Sequence, residues 1–466
     1  MNQGQYLLSS YADEIIIHPM GGINLVGFSI GGLFFGGAME KLGIDIRIYR
    51  SGKYKSAAES ISRNSMSDEN RQAMQALLDA LWPLYRDRIA ANRSIDASLI
   101  DDYINNFDEH LATSEHAAEA ALEAGVVDAI MTDEEFAAHM RGLLEEDKDR
   151  GFTRVDYQDY MQNLRSLPSP TDQSPNRIAV IVAEGVIVES KTNSSSDNVI
   201  AADELVPRIR KVLRDDSVKA LVLRLNTPGG SAFASELIRE ELKLLKEAGK
   251  PVVVAMGDVA ASGGYWIASA ADRILASENT LTGSIGVIGV VPFFETALDK
   301  LGIREDSIAT SELAAFTVAR KPSRKIETII QRSIDIVYDQ FLELVAEGRD
   351  MSKQDVHEIA QGRVWISGQA FAHGLIDRVG SLADAISVSA ELAGLDDWSE
   401  KRFEPPRPFW KELMVEVLKS LDVSVGIRPL PPYLLELDKK AREIEAMLQD
   451  PKDIYALCDS CSIRQS

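Results

Sequence analysis

From Arg177 onward the chain switches repeatedly between two hydrophobic patterns. Arg177-Ile-Ala-Val-Ile-Val-Ala-Glu-Gly-Val-Ile-Val is nearly all apolar and rich in β-branched residues, which predicts a pair of buried strands. A Ser/Asn-rich loop follows at 192–198, and Asp203 to Leu213 then carries helical spacing. Val218-Lys-Ala-Leu-Val-Leu-Arg-Leu-Asn reads as a strand running into Thr227-Pro-Gly-Gly-Ser; Ser231 to Ala248 reads as a helix and Pro251 to Gly257 as another strand. Strand, helix, strand, helix, strand implies parallel crossover units with helices outside the sheet, an α/β arrangement. After the last strand comes Ala261-Ser-Gly-Gly-Tyr-Trp, and from Trp266 the spacing is helical again.

The pattern occurs twice. Tyr6-Leu-Leu-Ser-Ser-Tyr-Ala-Asp-Glu-Ile parallels Tyr265-Trp-Ile-Ala-Ser-Ala-Ala-Asp-Arg-Ile, 259 positions later, and Glu40-Lys-Leu-Gly-Ile parallels Asp299-Lys-Leu-Gly-Ile at the same offset. Ala91-Asn92-Arg93 faces Glu347-Gly348-Arg349 at 256, and Ala124-Gly-Val-Val-Asp faces His373-Gly-Leu-Ile-Asp at 249. Small deletions account for the drift. The division this predicts is a first copy over 1–164, a Pro-rich linker at 165–177, a second copy over 178–400 and an extension over 401–466. At these offsets the opening strands and helices of the first copy would fall before Met1. The first copy is therefore expected to be incomplete at its N-terminus, shortened from a longer product with a leader or anchor lost.

Uncharged Gly21–Gly37 imitates a membrane span, but it is short and glycine-rich. Its counterpart in the second copy, Leu281-Thr-Gly-Ser-Ile-Gly-Val onward, has the same composition, so both are expected to be buried, irregular core or groove-wall segments. Tyr433 to Leu448 has amphipathic helical spacing and is expected to pack on its own domain.

Composition narrows the partners. The 466 residues carry 72 acidic and 50 basic side chains, a net charge of −22, which argues against nucleic acid and against a polybasic grip on anionic lipid. Met1-Asn-Gln-Gly-Gln-Tyr lacks the basic head and apolar run of a secretory signal. The six histidines show no metal spacing, and His139 and His373 fall on helical patterns as surface residues. No cofactor and no metal is expected. Cys458 and Cys461, the only cysteines, cannot form a tetrahedral zinc site alone; a disulfide and two free thiols both stay open.

The candidate chemistry sits at two strand-to-helix corners, Asn226-Thr-Pro-Gly-Gly-Ser and Ala261-Ser-Gly-Gly-Tyr, where open α/β sheets bind ligands. Glycines there admit a substrate carbonyl and free N–H groups for a developing oxyanion. Ser262 is the candidate nucleophile, against the plainer reading of a helix N-cap. From the residues alone, no base is singled out: Lys53 and Lys55 are equally good.

These motifs, T-P-G-G-S at 227–231, A-S-G-G-Y-W-I-A-S-A-A-D at 261–272, L-T-G-S-I-G-V at 281–287 and G-K-Y-K-S-A-A-E at 52–59, resemble the signal peptide peptidase A family in its long, duplicated form, protease IV. The resemblance covers nearly the whole chain. It implies two tandem crotonase/Clp-protease-like (ββα-type) domains, and a serine–lysine dyad with Ser262 as nucleophile, Lys55 as general base and Ser284 orienting the lysine. Gly230 and Gly263 would supply the oxyanion N–H groups. Peptide substrates, notably remnants of cleaved signal peptides, a homotetramer and a place on the periplasmic face of the inner membrane are implied with it. The repeat offset sets Gln3 opposite Ser262 and Ala314 opposite Lys55, so each copy lacks what the other supplies and the site is expected between the halves. Two rivals remain: a crotonase-type acyl-CoA enzyme, which would need an acidic catalyst near the groove, and an inactive, shortened subunit.

Overall fold

A computed structural model describes residues 1–147, 151–166, 174–191, 198–404, 454–458 and 461. The 433–448 helix and most of the 165–177 linker and 192–198 loop lie outside these residues. The chain forms two compact units. Among the described residues, one comprises 1–31, 75–147 and 151–166; the other comprises 32–74, 174–191, 198–404, 454–458 and 461.

The second unit has a mixed α/β core. Its larger sheet, among the described residues, runs in the order Val364–Ile366, Leu281–Gly283, Val252–Ala261, Val218–Thr227, Arg177–Glu184, Ser399–Arg402, with Arg273–Ala276 also paired to Val252–Ala261. The central strands are parallel, as their crossovers require. Alternate side chains serve two layers. Ala179, Ile181, Leu221, Leu223, Val252 and Val254 pack with helices Ala202–Arg214 and Ala232–Glu247, whereas Ile178, Val180, Val222, Val253 and Ala255 pack with Leu382–Leu392. Helices cover both faces, which is why these strands read as continuous apolar runs.

A smaller sheet holds Asp45–Ser51, Val287–Phe293, Tyr455–Leu457, Gly229–Ser231, Val186–Val188 and Val199–Ala201 in that order. Two of its strands begin where strands of the larger sheet end. Gly185 (φ +108°) turns the chain from Arg177–Glu184 into Val186–Val188, and a Cβ there would collide with the Asn198 carbonyl. Residues 177–188 are therefore two strands in different sheets, not partners of each other. Pro228 separates Val218–Thr227 from Gly229–Ser231 in the same way.

The Gly21–Gly37 segment is irregular, as expected, but is not buried throughout: Ile23 and Leu25 are buried, while Leu33 is 60% and Val26 46% exposed. Among the described residues, no helix is long and apolar enough to cross a membrane.

The repeated stretches carry matching internal ties. In the first unit Tyr6 Oη donates to the Val126 carbonyl (2.6 Å), Asp128 accepts from Ile15 N (2.6 Å), and Arg93 pairs with Asp128 (2.5 Å). In the second, Tyr265 Oη donates to the Leu375 carbonyl (2.7 Å), Asp377 accepts from Ile274 N (2.7 Å), and Arg349 grips Asp377 with two N–H donors. Helices Asp68–Arg93 and Arg324–Arg349 are each 26 residues long. Removing either buried phenol strands a carbonyl. Tyr6→Phe and Tyr265→Phe should each cost about 1–3 kcal/mol, read by chemical denaturation.

Candidate active site

The site begins with sheet pairing. Asp45-Ile-Arg-Ile-Tyr-Arg-Ser lies antiparallel to Val287–Phe293 over seven pairs, from Val287↔Ser51 to Phe293↔Asp45. The loop that follows Ser51 is thereby delivered beside Ser284, just ahead of Val287. Lys55 on that loop is 1% exposed and Lys53 is exposed, its Nζ over the Tyr54 ring at 4.8 Å. The structure thus separates two lysines that sequence reasoning ranked equally.

Lys55 Nζ lies 2.6 Å from Ser262 Oγ, 3.0 Å from Ser284 Oγ and 2.9 Å from the Ser284 carbonyl oxygen. All three partners are uncharged oxygens. Burial therefore drives the Lys55 pKa well below the ordinary lysine value, because desolvation penalises the ammonium form.

Ser262 is fully buried at the end of Val252–Ala261, with φ 55° and ψ −111°, a conformation few non-glycine residues adopt. Its N–H donates to the Gly283 carbonyl (2.8 Å), and its carbonyl accepts from Trp266 N (2.8 Å). Its hydroxyl makes no cap bond to helix Gly263–Ala268, so the N-cap reading fails and Oγ faces Lys55. Ser284 also has positive φ (50°), and its N–H donates to the Arg363 carbonyl (2.7 Å). Gly263 follows Ser262, and a Cβ on it would lie 2.6 Å from Ser235 Oγ. Gly230 sits on Gly229–Ser231 against Ile187, where a Cβ would collide with the Ile187 carbonyl. Gly229 N–H is given to Thr227 Oγ1 (3.0 Å), and Gly230 is paired in register with Ile187 on one side and Ala456 on the other.

Two supports escaped the sequence. The first is the 360–363 turn. Gln361 (φ 52°) accepts from Tyr54 N at 2.9 Å, and Gly362 (φ +79°) is so close that a Cβ would lie 2.7 Å from Lys55 N. The second is a polar ring. Arg50 donates to the Lys55 carbonyl (3.3 Å) and pairs with buried Glu59 (3.7 Å); Glu59 accepts from Asn70 (3.0 Å) and from Ser67 N and Oγ; Asn70 in turn accepts from Ser56 Oγ (3.1 Å). Beside Lys55 opens a cavity of about 230 Å³ lined by Ile48, Arg50, Ala58, Glu59, Arg63 and Ile288 among others. It draws Ile288 from the second glycine-rich segment and nothing from 21–37.

The family model described as "Peptidase family S49" matches residues 1–146 and 244–396. Protease 4 of Haemophilus influenzae is 36% identical over 99% of this chain and 75% of its own length. The chain belongs to peptidase family S49. It is a serine peptidase, and the acyl-CoA reading is set aside. Protease 4 of Salmonella typhi is 34% identical over 99% of the chain and 74% of its own length. The chloroplastic serine protease SPPA of Arabidopsis thaliana is 33% identical over 84% of the chain and 57% of its own length. Among solved structures a ClpP1 variant from Listeria monocytogenes aligns at TM-score 0.30 and 15% identity, over 44% of this chain and 94% of that one.

In this S49 peptidase Gly362 should tolerate no side chain. Gly362→Ala should lower kcat at least about tenfold by displacing Lys55, at a stability cost of about 1–3 kcal/mol from the positive φ. Lys53→Ala should change activity less than twofold. Steady-state peptidase kinetics on both variants check this.

Proposed function

We propose that Ser262 and Lys55 form a serine–lysine dyad that hydrolyses peptide bonds in apolar peptides, notably remnants of cleaved signal peptides. The observation that carries this is a buried amine 2.6 Å from a buried serine hydroxyl, with no charged partner in reach of it among the described residues. A neutral amine has two N–H donors and one lone pair. The Ser284 carbonyl takes one N–H, Ser284 Oγ takes the other, and the lone pair is left for the Ser262 proton. Ser284 is thus the residue that orients the base.

In this reading Oγ of Ser262 adds to the scissile carbonyl carbon as its proton passes to Lys55 Nζ. The oxyanion is met by the N–H groups of Gly230 and Gly263. Nζ then returns the proton to the leaving amine as the C–N bond breaks. Water attacks the acyl-enzyme, Nζ again takes a proton, and Ser262 regains it as the acid product departs. Apolar Ile48, Ala58 and Ile288 beside Lys55 suit an apolar substrate side chain.

The chain is further read as two tandem crotonase/Clp-protease-like copies. The two separate family matches and the paired Tyr, Asp and Arg ties support this. At the position of Ser262, the first copy holds Gln3, whose amide is bonded to the backbone of residues 26 and 27. A homotetramer at the periplasmic face of the inner membrane follows from the resemblance. The Cys458–Cys461 disulfide supports an oxidising compartment.

Ser262→Ala and Lys55→Met should each lower kcat on an apolar peptide by about 10²–10⁴-fold or more, with the fold retained by circular dichroism. Cleavage of a synthetic signal peptide by the unaltered chain, followed by mass spectrometry, tests the substrate class. A protonated Lys55 cannot accept the Ser262 proton, so activity should fall as pH drops through its lowered pKa, on a limb well below ~10.4. Between that pKa and ~10.4 the unfolded state binds the extra proton, so stability should rise with pH across the window; Lys55→Met should flatten this rise in denaturation measured as a function of pH.

A further inference from the structure

Tyr455–Leu457 is a strand of the smaller sheet, antiparallel to Gly229–Ser231 on one side and to Val287–Phe293 on the other. Tyr455 pairs with Ser231, Ala456 with Gly230 and Leu457 with Gly229. It fills a slot one strand wide between those two strands, the first of which lies against Ala261 and Gly263 on either side of Ser262. Both ends are tied: Ala232 N donates to the Ile454 carbonyl (3.3 Å), and Cys458 N to the Pro228 carbonyl (2.8 Å). Tyr455 and Leu457 are buried against Ala57, Ala58 and Ile288, beside the loop that carries Lys55.

The Ala456 carbonyl has a particular place. A Cβ on Gly229 would collide with its oxygen, and a Cβ on Gly263 would lie 3.1 Å from it. Gly263 is the residue after the nucleophile, so this carbonyl stands over the glycine cradle where a scissile carbonyl would have to sit. An extended peptide that adds a strand to this sheet needs the same backbone partners. It cannot have them while Tyr455–Leu457 is in place.

We propose that residues 454–458 are an intramolecular pseudosubstrate, which peptides must displace to reach Ser262. This rests on the dyad reading of the same site for its consequence, but not for its test. In a Ser262→Ala background, where nothing is turned over, binding of a fluorescein-labelled Leu/Ala decapeptide is measured by anisotropy. Tyr455→Asp places a carboxylate in the apolar pocket and should expel the strand. The dissociation constant should then tighten at least about tenfold, since the competent fraction rises. Leu457→Asp should act likewise, and Tyr455→Phe should leave binding as it was. Hydrogen exchange at Gly229–Ser231 and 287–291 should quicken in the Asp variants and not in the Phe variant. An unchanged dissociation constant in both Asp variants overturns the proposal. Failure of the dyad reading shows separately: Tyr455→Asp with Ser262 intact would bind the peptide more tightly and still leave it uncut.

Discussion

A lysine amine buried without a countercharge among the described residues is the constraint on which this site rests. Putting an ammonium ion there would be costly, so burial lowers the Lys55 pKa and favours the neutral amine that the proposed dyad needs. The three oxygens around Nζ satisfy it without restoring its charge. A carboxylate in any of those places would raise the pKa again and remove the base. The nearest buried acid in the supporting ring, Glu59, is instead committed to Arg50, Ser67 and Asn70.

The scaffold holds this arrangement with backbone strain. Of the five non-glycine residues with positive φ among the described residues, three belong to the site: Ser262, Ser284 and Gln361. Each sits where a strand or turn must reverse quickly to aim a hydroxyl or a carbonyl inward. Such conformations persist only where their surroundings over-determine them. Here the surroundings are the Gly283 and Arg363 carbonyls, which take the N–H groups of Ser262 and Ser284, and the close face of Gly362 against Lys55.

The legibility of the chain varied with how local the cause was. The central strands of the larger sheet and the helices Ala202–Arg214 and Ala232–Glu247 follow from apolar periodicity, and Ser262 stands out because a strand, a serine and two glycines are adjacent. The proposed base did not stand out from the residues alone, since burial distinguishes Lys55 from Lys53, and burial comes from a strand pairing across the chain. The alternation in Asp45-Ile-Arg-Ile-Tyr-Arg-Ser was the available signal for that pairing. The Gly362 turn carries no comparable mark: Gln-Gly-Arg after a helix is indistinguishable from an ordinary C-terminal turn. Tyr455–Leu457 is three residues long, too short for any periodicity to announce. The 21–37 segment misled in the other direction, because composition reports apolarity and not how much of it the fold covers.

The antiparallel pairing of Asp45–Ser51 with Val287–Phe293 also sets a timetable for biosynthesis. Lys55 leaves the ribosome 207 residues before Ser262, to which it is hydrogen-bonded, and the strand ahead of it waits longer still for a partner. At translation rates of roughly 5–20 residues per second the strand's wait is on the order of 12–50 s, during which Asp45–Ser51 has no ladder to join. Through that interval the strand has no partner from this sheet, and the arrangement around Ser262 cannot form until both stretches have emerged.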